Sequence, residues 1–524
     1  MPITGATAPV DRCHCGCPSR ARVASACITI LLLGAGTLAH AQGVWRITPT
    51  ISGAVTWTNN VDLAPEGQRE SDWVFTVSPA VAIDYRAARA WLRGSVSAPI
   101  VLYAGTGDGN DSIYPNVNLA GNVELVEDLF FVDAFATVSQ TYYSPFGARP
   151  PGLINATDNR YTSQTYQVSP YLKGNIMGGD TSWLIRNDNI WTNLNDTPET
   201  TQGQYVNHLF GTINRTPRPF GWGADIERTV YRFQGQDPQT IALARARGTW
   251  RPDPQLELYV SAGYEKDELL LTGTGDVIYG AGFRWRPTDR SRFDASWEHR
   301  FFGNSYEVLF ENRRPLSVWS VGAYRRLTSY TESINLPQGP SVPGVLEQIL
   351  QSRIPNAEDR ARFVADYVAN RGLPEFLDRP VNIYAQRLYV VQGAFATAGL
   401  TGARNSLFLN AYNYKQTPIT GTGQEIPPEI GRTNNSTQTG VGAAWSYQLT
   451  PFTSFTLSGD TSWTKAEPPL EDRSDQQTVR AVVTSSVGPR TTTFFGASWQ
   501  QFNSNVDSDY RETSVFAGFT HSFR

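Results

Sequence analysis

The sequence predicts an all-β fold: a large antiparallel transmembrane β-barrel of about 22 strands with a small helical insert in one loop. Three observations carry that expectation. Side chains alternate apolar and polar with period two, over segments longer than the strands of soluble sandwiches. The links between these segments alternate between short and long. The mature part has no apolar run long enough for a membrane helix, yet aromatic content is 12%, with 14 Trp and 23 Tyr. A barrel needs only every second side chain to be apolar, so its mean hydropathy stays low, here −0.34.

Residues 1–41 read as an export signal peptide. Arg20 and Arg22 form a basic flank, residues 28–38 a short apolar core, and Ala39-His40-Ala41 a cleavage site before Gln42. Cys13, Cys15, Cys17 and Cys27 all fall inside it. The Cys-His-Cys-Gly-Cys run is therefore read as discarded leader, not as a metal site. The mature chain, 42–524, is expected to be an exported outer-membrane barrel without a disulfide.

Strand patterns then follow in order over 44–58, 71–86, 88–103, 116–126, 129–143, 161–175, 180–194, 203–216, 220–233, 240–250 and 255–266. They continue over 275–286, 291–302, 304–313, 316–330, 386–401, 404–416, 435–449, 452–465, 476–488, 491–504 and 510–523. In 73–85, Trp73, Phe75, Val77, Val81, Ile83 and Tyr85 occupy one face, with Thr76, Ser78 and Asp84 on the other. Such a strand suits a tilted crossing of hydrocarbon, which takes roughly 9–11 residues. Short links such as Pro217–Pro219, Pro252–Pro254 and Gly402-Ala403 are built from turn residues that cannot extend a ladder. Long polar links, such as 59–70, 144–160 and 416–434, fall between them. Short turns facing the periplasm opposite long external loops are the outer-membrane pattern. Gly303 breaks the alternation, standing where a long link is expected.

The segment 331–382 departs from period two. Asn356 is a fitting N-cap, Glu358 and Asp359 lie in a first turn, and Gly372 fits a C-terminal stop. Phe363, Val364, Tyr367 and Val368 cluster on one face of that helix, and a second short helix is expected over 342–353. By the strand count the insert leaves the barrel on the external side. A lumen this wide is not filled by wall side chains, and barrels of this size are typically plugged. Strand pattern starts within a few residues of the expected cleavage site, where a plug domain would sit, so either the lumen is open or something else occludes it. The insert is thus a candidate gate helix folding inward, with an external cap as the alternative.

On the inward faces, Arg292, Asp294, Ser296, Glu298 and Arg300 share one side of a strand, and Arg284 and Arg286 stand on its neighbour. Mixed-sign rows of this kind form cross-strand pairs in a wet lumen, or line a path for an anionic solute. Phe519, His521 and Phe523 form the end of an alternating face on the last strand. That ending resembles the C-terminal signal read by barrel-assembly machinery, except that Arg524 follows the aromatic. No catalytic motif, metal set or cofactor motif stands out; His208, His299 and His521 are the only mature histidines, and no enzyme activity is expected. A net charge of −4 argues against nucleic acid as a partner.

Several stretches resemble a family of outer-membrane proteins associated with PEP-CTERM/exosortase systems and encoded with exopolysaccharide genes. They are Arg46-Ile47-Thr48-Pro49-Thr50 through Asn59-Asn60-Val61-Asp62-Leu63, Arg286-Pro287-Thr288-Asp289-Arg290, Trp297-Glu298-His299-Arg300-Phe301-Phe302-Gly303-Asn304-Ser305-Tyr306, and Leu400-Thr401-Gly402-Ala403-Arg404-Asn405-Ser406-Leu407. The resemblance implies a pore or assembly component serving exopolysaccharide export or surface-protein sorting. Its partners would be outer-membrane lipid, the barrel-assembly machinery, and exopolysaccharide or its export components. A general diffusion porin and a closed, adhesin-like barrel are the other two readings.

Overall fold

The computed structural model describes residues 43–106, 111–195, 202–268, 275–334, 341–385, 387–419, 435–468 and 470–523. The expected signal peptide lies outside the described residues. Twenty-two wall strands form one closed antiparallel barrel. In order they are β1 (Val44–Thr58), β2 (Asp72–Ala87), β3 (Ala90–Ser97, continued by Ile100–Tyr103), β4 (Ser112–Ile113, continued by Asn116–Val126), β5 (Phe130–Tyr142), β6 (Arg160–Ile176) and β7 (Thr181–Asn195). Then come β8 (Gln202–Arg215), β9 (Phe220–Phe233), β10 (Gln239–Asp253), β11 (Leu256–Asp267), β12 (Asp276–Thr288), β13 (Ser291–Arg300), β14 (Gly303–Arg314) and β15 (Ser317–Thr328). The wall finishes with β16 (Tyr389–Thr401), β17 (Asn405–Pro418), β18 (Ser436–Gln448), β19 (Thr453–Ala466), β20 (Arg473–Gly488), β21 (Thr491–Ser504) and β22 (Tyr510–Ser522).

Every strand pairs with its sequence neighbours, and β1 closes on β22 from Thr50↔Ser522 to Thr58↔Ser514. Closure removes the free sheet edges that hydrocarbon does not tolerate. The breaks within β3 and β4 fall at Pro99 and Pro115, which lack the N–H that a ladder uses. The predicted alternation is the observed one: Trp73, Phe75 and Val77 are exposed on the outer face of β2, as are Trp250 on β10 and Trp297 on β13. The short turn at Gly303, with φ 95°, joins β13 to β14 on the long-loop side.

Between β15 and β16 the chain forms three helices, α1 (Tyr330–Ile334), α2 (Val342–Leu350) and α3 (Ala357–Arg371). The capping of α3 is as read from the sequence: the Asn356 side chain accepts from the N–H groups of Glu358 and Asp359, and Gly372 takes φ 60° at the C-terminus. α2 begins where the Ser341 hydroxyl accepts from the Gly344 N–H. Val342, Val345, Leu346 and Ile349 of α2 are buried against Val318, Phe408 and Ala444, which project from the inward faces of β15, β17 and β18. At roughly 1.5–3 kcal/mol for each buried aliphatic chain, that contact fixes the insert on the wall. Gly399 on β16 makes the approach possible, since a Cβ there would lie 2.3 Å from Val345 Cγ1. The insert thus leaves from the external side and lies inside the lumen.

Candidate functional site

Two stretches fold inward into the lumen: the described parts of 329–388 (329–334, 341–385 and 387–388), and 144–159. At the periplasmic end, α3 runs along the mouth. Tyr367 hydrogen-bonds to the Ser406 hydroxyl at 2.5 Å, the Arg371 guanidinium donates to Gln448 Oε1 at 3.0 Å, and Thr456 Oγ1 donates to the Arg371 carbonyl at 2.5 Å. These partners lie on β17, β18 and β19. At its other end Glu358 forms an ion pair with Arg86, on β2. The helix therefore reaches from one side of the wall to another. Of the predicted gate face, Val364 is buried in the α2–α3 cluster, with Tyr367 and Val368 packed against it, while Phe363 is exposed.

At the external end, α1 is pinned to strands on a different part of the wall. Tyr330 donates to Ser163 on β6 at 3.2 Å. Thr331, fully buried, bonds Thr192 on β7 at 3.0 Å and Gln204 on β8 at 2.8 Å. The Glu332 carboxylate accepts from the Tyr231 hydroxyl on β9 at 3.1 Å and from the Ser329 N–H at 2.9 Å. The enclosing lumen disfavours the Glu332 charge and holds that carboxyl above its ordinary range. The chain returns along β17 and β18: Asn410 donates to the Asp378 carbonyl at 2.7 Å, and Tyr412 to the Asp378 carboxylate at 3.0 Å. The Gln438 amide pairs with both backbone groups of Val381, at 2.8 and 3.0 Å. Burial, and then the nearby Asp460 charge, push the Asp378 carboxyl up to about 7.

Just before β16, Leu388 is 1% exposed among Ile190, Val206, Tyr231, Phe233 and Ile241, with Phe301 and Leu327 beside them. Side chains of β7 through β10 thus meet the residue that leads into β16 in a buried apolar layer. A second, aromatic cluster holds Tyr161, Tyr330 and Tyr384 with Leu194. The link 144–159, predicted as an external loop, instead packs onto inward positions of β20 and β21. Ser474 donates to the Pro145 carbonyl at 3.0 Å, Gln476 to the Arg149 carbonyl at 2.7 Å, and Ser504 to the Phe146 carbonyl at 3.0 Å. Phe146 is 2% exposed.

The charged residues predicted to line the lumen share one inward surface through the ladder, where Arg284 lies opposite Asp294 and Glu298 opposite Ser305. Most are paired. Arg292 contacts Asp294 and Glu311, Arg284 contacts Glu257 at 3.1 Å, Glu298 accepts from Arg245 at 2.8 Å, and Arg300 is paired with the fully buried Glu265. Arg286 lines a cavity at the periplasmic mouth with Arg292, with Gln348 of α2 and with Gln351, which caps that helix. His208, for which the sequence offered no partner, sits between two carboxylates, Asp188 at 3.4 Å and Glu227 at 3.0 Å. Those partners lie on the adjacent strands β7 and β9, so only the register reveals them. Phe519 and His521 are on the outer face of β22, in line with Gly53 and Ile51 of β1, and Phe523 follows the strand. Among the described residues, no group of His, Cys, Asp and Glu is arranged to hold a metal ion.

No protein-family model matches the sequence, and no curated protein matches it. Among solved structures, the chain is similar to the siderophore receptor PirA of Acinetobacter baumannii, with a TM-score of 0.47 and 10% identity over 91% of this chain and 80% of that one. It is also similar to the FrpB iron transporter of Neisseria meningitidis, with a TM-score of 0.46 and 9% identity over 91% and 81%. A ferric enterobactin receptor of Pseudomonas aeruginosa gives a TM-score of 0.46 and 10% identity over 90% and 81%. Those cargoes are the cargoes of those proteins.

Proposed function

We propose that this outer-membrane barrel is a gated channel stoppered by its own chain, whose solute passes only when α1 and the return segment withdraw from the wall. One observation carries the reading: a single stretch, 329–388, bonds inward residues of β6 through β9 at one end and of β17 through β19 at the other. A general diffusion porin needs a standing aqueous path, which the burial of Leu388 among Ile190, Val206, Tyr231, Phe233 and Ile241 opposes. The polar anchors of α1 favour a reversible contact, because each can be exchanged for water when the helix leaves. The gate role of Phe363, Val364, Tyr367 and Val368 belongs to this proposal, with Val364 seating α3 and Tyr367 holding it to β17. So does the cargo: the likeness of the sequence to exosortase-linked proteins supports export of exopolysaccharide or sorting of surface proteins.

The test is single-channel recording in planar bilayers. The wild-type chain is expected to stay largely closed, and a variant with 331–382 replaced by a short Gly-Ser linker to hold a stable, larger conductance. Equal conductance in the two would sink the channel reading. For the cargo, a deletion strain is expected to lose surface polysaccharide, and unchanged polysaccharide would remove that part.

A further inference from the structure

The inward wall of β10 to β12 carries a feature that the plug does not use. Two cavities, of about 230 Å³ and about 410 Å³, both include Arg247 and Tyr259 in their lining. The larger also takes in Arg251, Arg284 and Glu257, and the smaller Arg245 and Arg326. Tyr259 on β11 lies directly opposite Gly282 on β12. A Cβ at Gly282 would come within 2.5 Å of the Tyr259 Cζ and hydroxyl, so the ring lies over the glycine against the wall. The Arg247 guanidinium carbon stands 5.8 Å from the ring centroid.

Charge around this ring is unevenly matched. Arg247 shares its one carboxylate, the buried Asp225, with Arg245, which also pairs with Glu298. Arg284 has Glu257. Arg251 donates through Nη2 to the Pro254 carbonyl, but its Nε is buried with no hydrogen-bond partner among the described residues. Arg251 is partly exposed on the larger cavity and has no carboxylate partner among the described residues, so beside two further arginines it is a place where an oxyanion gains charge-assisted hydrogen bonds. A flat ring with one face on the wall offers its other face to an apolar ring face of the ligand.

We propose that the lumenal wall at Tyr259 binds a solute that carries an oxyanion on a ring, with Arg247, Arg251 and Arg284 taking the charge and Tyr259 the ring face. This names the solute class for the channel proposed above. Its test nevertheless uses the intact, plugged protein, so a failed channel and a failed site give different results. Binding to detergent-solubilised full-length protein is measured by calorimetry with three probes: inorganic phosphate, a short oligogalacturonate, and a neutral malto-oligosaccharide of equal length. Oligogalacturonate is expected to bind saturably, phosphate more weakly, and the neutral sugar not at all. R251Q with R284Q is expected to weaken both anions roughly tenfold or more. Y259L is expected to weaken the oligogalacturonate severalfold and leave phosphate unchanged. Those two arms separate a free oxyanion from a ring-borne one, and an unchanged melting temperature for each variant shows that the barrel still folds. No saturable anion binding, binding that survives the arginine changes, or equal binding of the neutral sugar overturns the proposal.

Discussion

If α1 is the releasable end of the stopper, weakening its hold on β9 should expose it without harming the barrel. Tyr231→Phe removes the hydroxyl that donates to Glu332 at 3.1 Å and leaves the ring, which packs in the Leu388 layer. Losing this donor to the buried Glu332 carboxyl costs about 1–3 kcal/mol, which raises the undocked fraction roughly 5- to 150-fold. The reporter is Ser333→Cys, 3% exposed in the docked state and the only thiol once the four N-terminal cysteines are absent. Maleimide labelling then reads the undocked fraction, with the urea-unfolded rate as the scale for intrinsic reactivity. Labelling is expected to rise at least fivefold with Tyr231→Phe, while the melting temperature of the barrel stays close to that of the parent. Equal labelling rates in the two backgrounds would refute the latch.

Three further outcomes follow from named contacts. Asp378 has an ordinary value of 3.8 and is raised to about 7 in the docked state, so docking favours its protonated form. That stabilisation is complete below about pH 4 and is lost as pH rises through about 7. Plug stability, followed by limited proteolysis, should therefore fall from pH 5 to pH 8, and Asp378→Asn should flatten the profile. Arg300→Leu strands the buried Glu265 and is expected to cost about 3–5 kcal/mol, seen as a lower melting temperature; adding Glu265→Leu should recover much of the loss. Phe523→Ala is expected to lower the heat-modifiable, assembled fraction in the outer membrane; an unchanged fraction would remove the assembly role of the C-terminal face.

The wall was legible because period two is a local property: Trp73, Phe75 and Val77 announce the lipid face of β2 without reference to any other strand. The same holds for α3, whose cap residues Asn356 and Gly372 lie next to the helix they delimit. What escaped was everything set by pairing between distant residues. α1 is five residues long, too short for a helical period to register, although it carries the anchors to β6, β7, β8 and β9. The inward course of 144–159 depends on donors more than 300 positions away, and its local sign was an aromatic residue, Phe146, in a polar link. His208 joined Asp188 and Glu227 only through the ladders on either side of it.

The most direct measurement of a lumen crossed by its own chain is a thiol crosslink between Arg86→Cys on β2 and Glu358→Cys at the start of α3, made in intact outer membranes with a short bifunctional reagent. With α3 across the periplasmic mouth, the pair should crosslink within one chain and shift its gel mobility. A pair that stays unlinked, while a control pair across the β1–β22 seam at Thr56 and Phe516 links readily, would contradict the account.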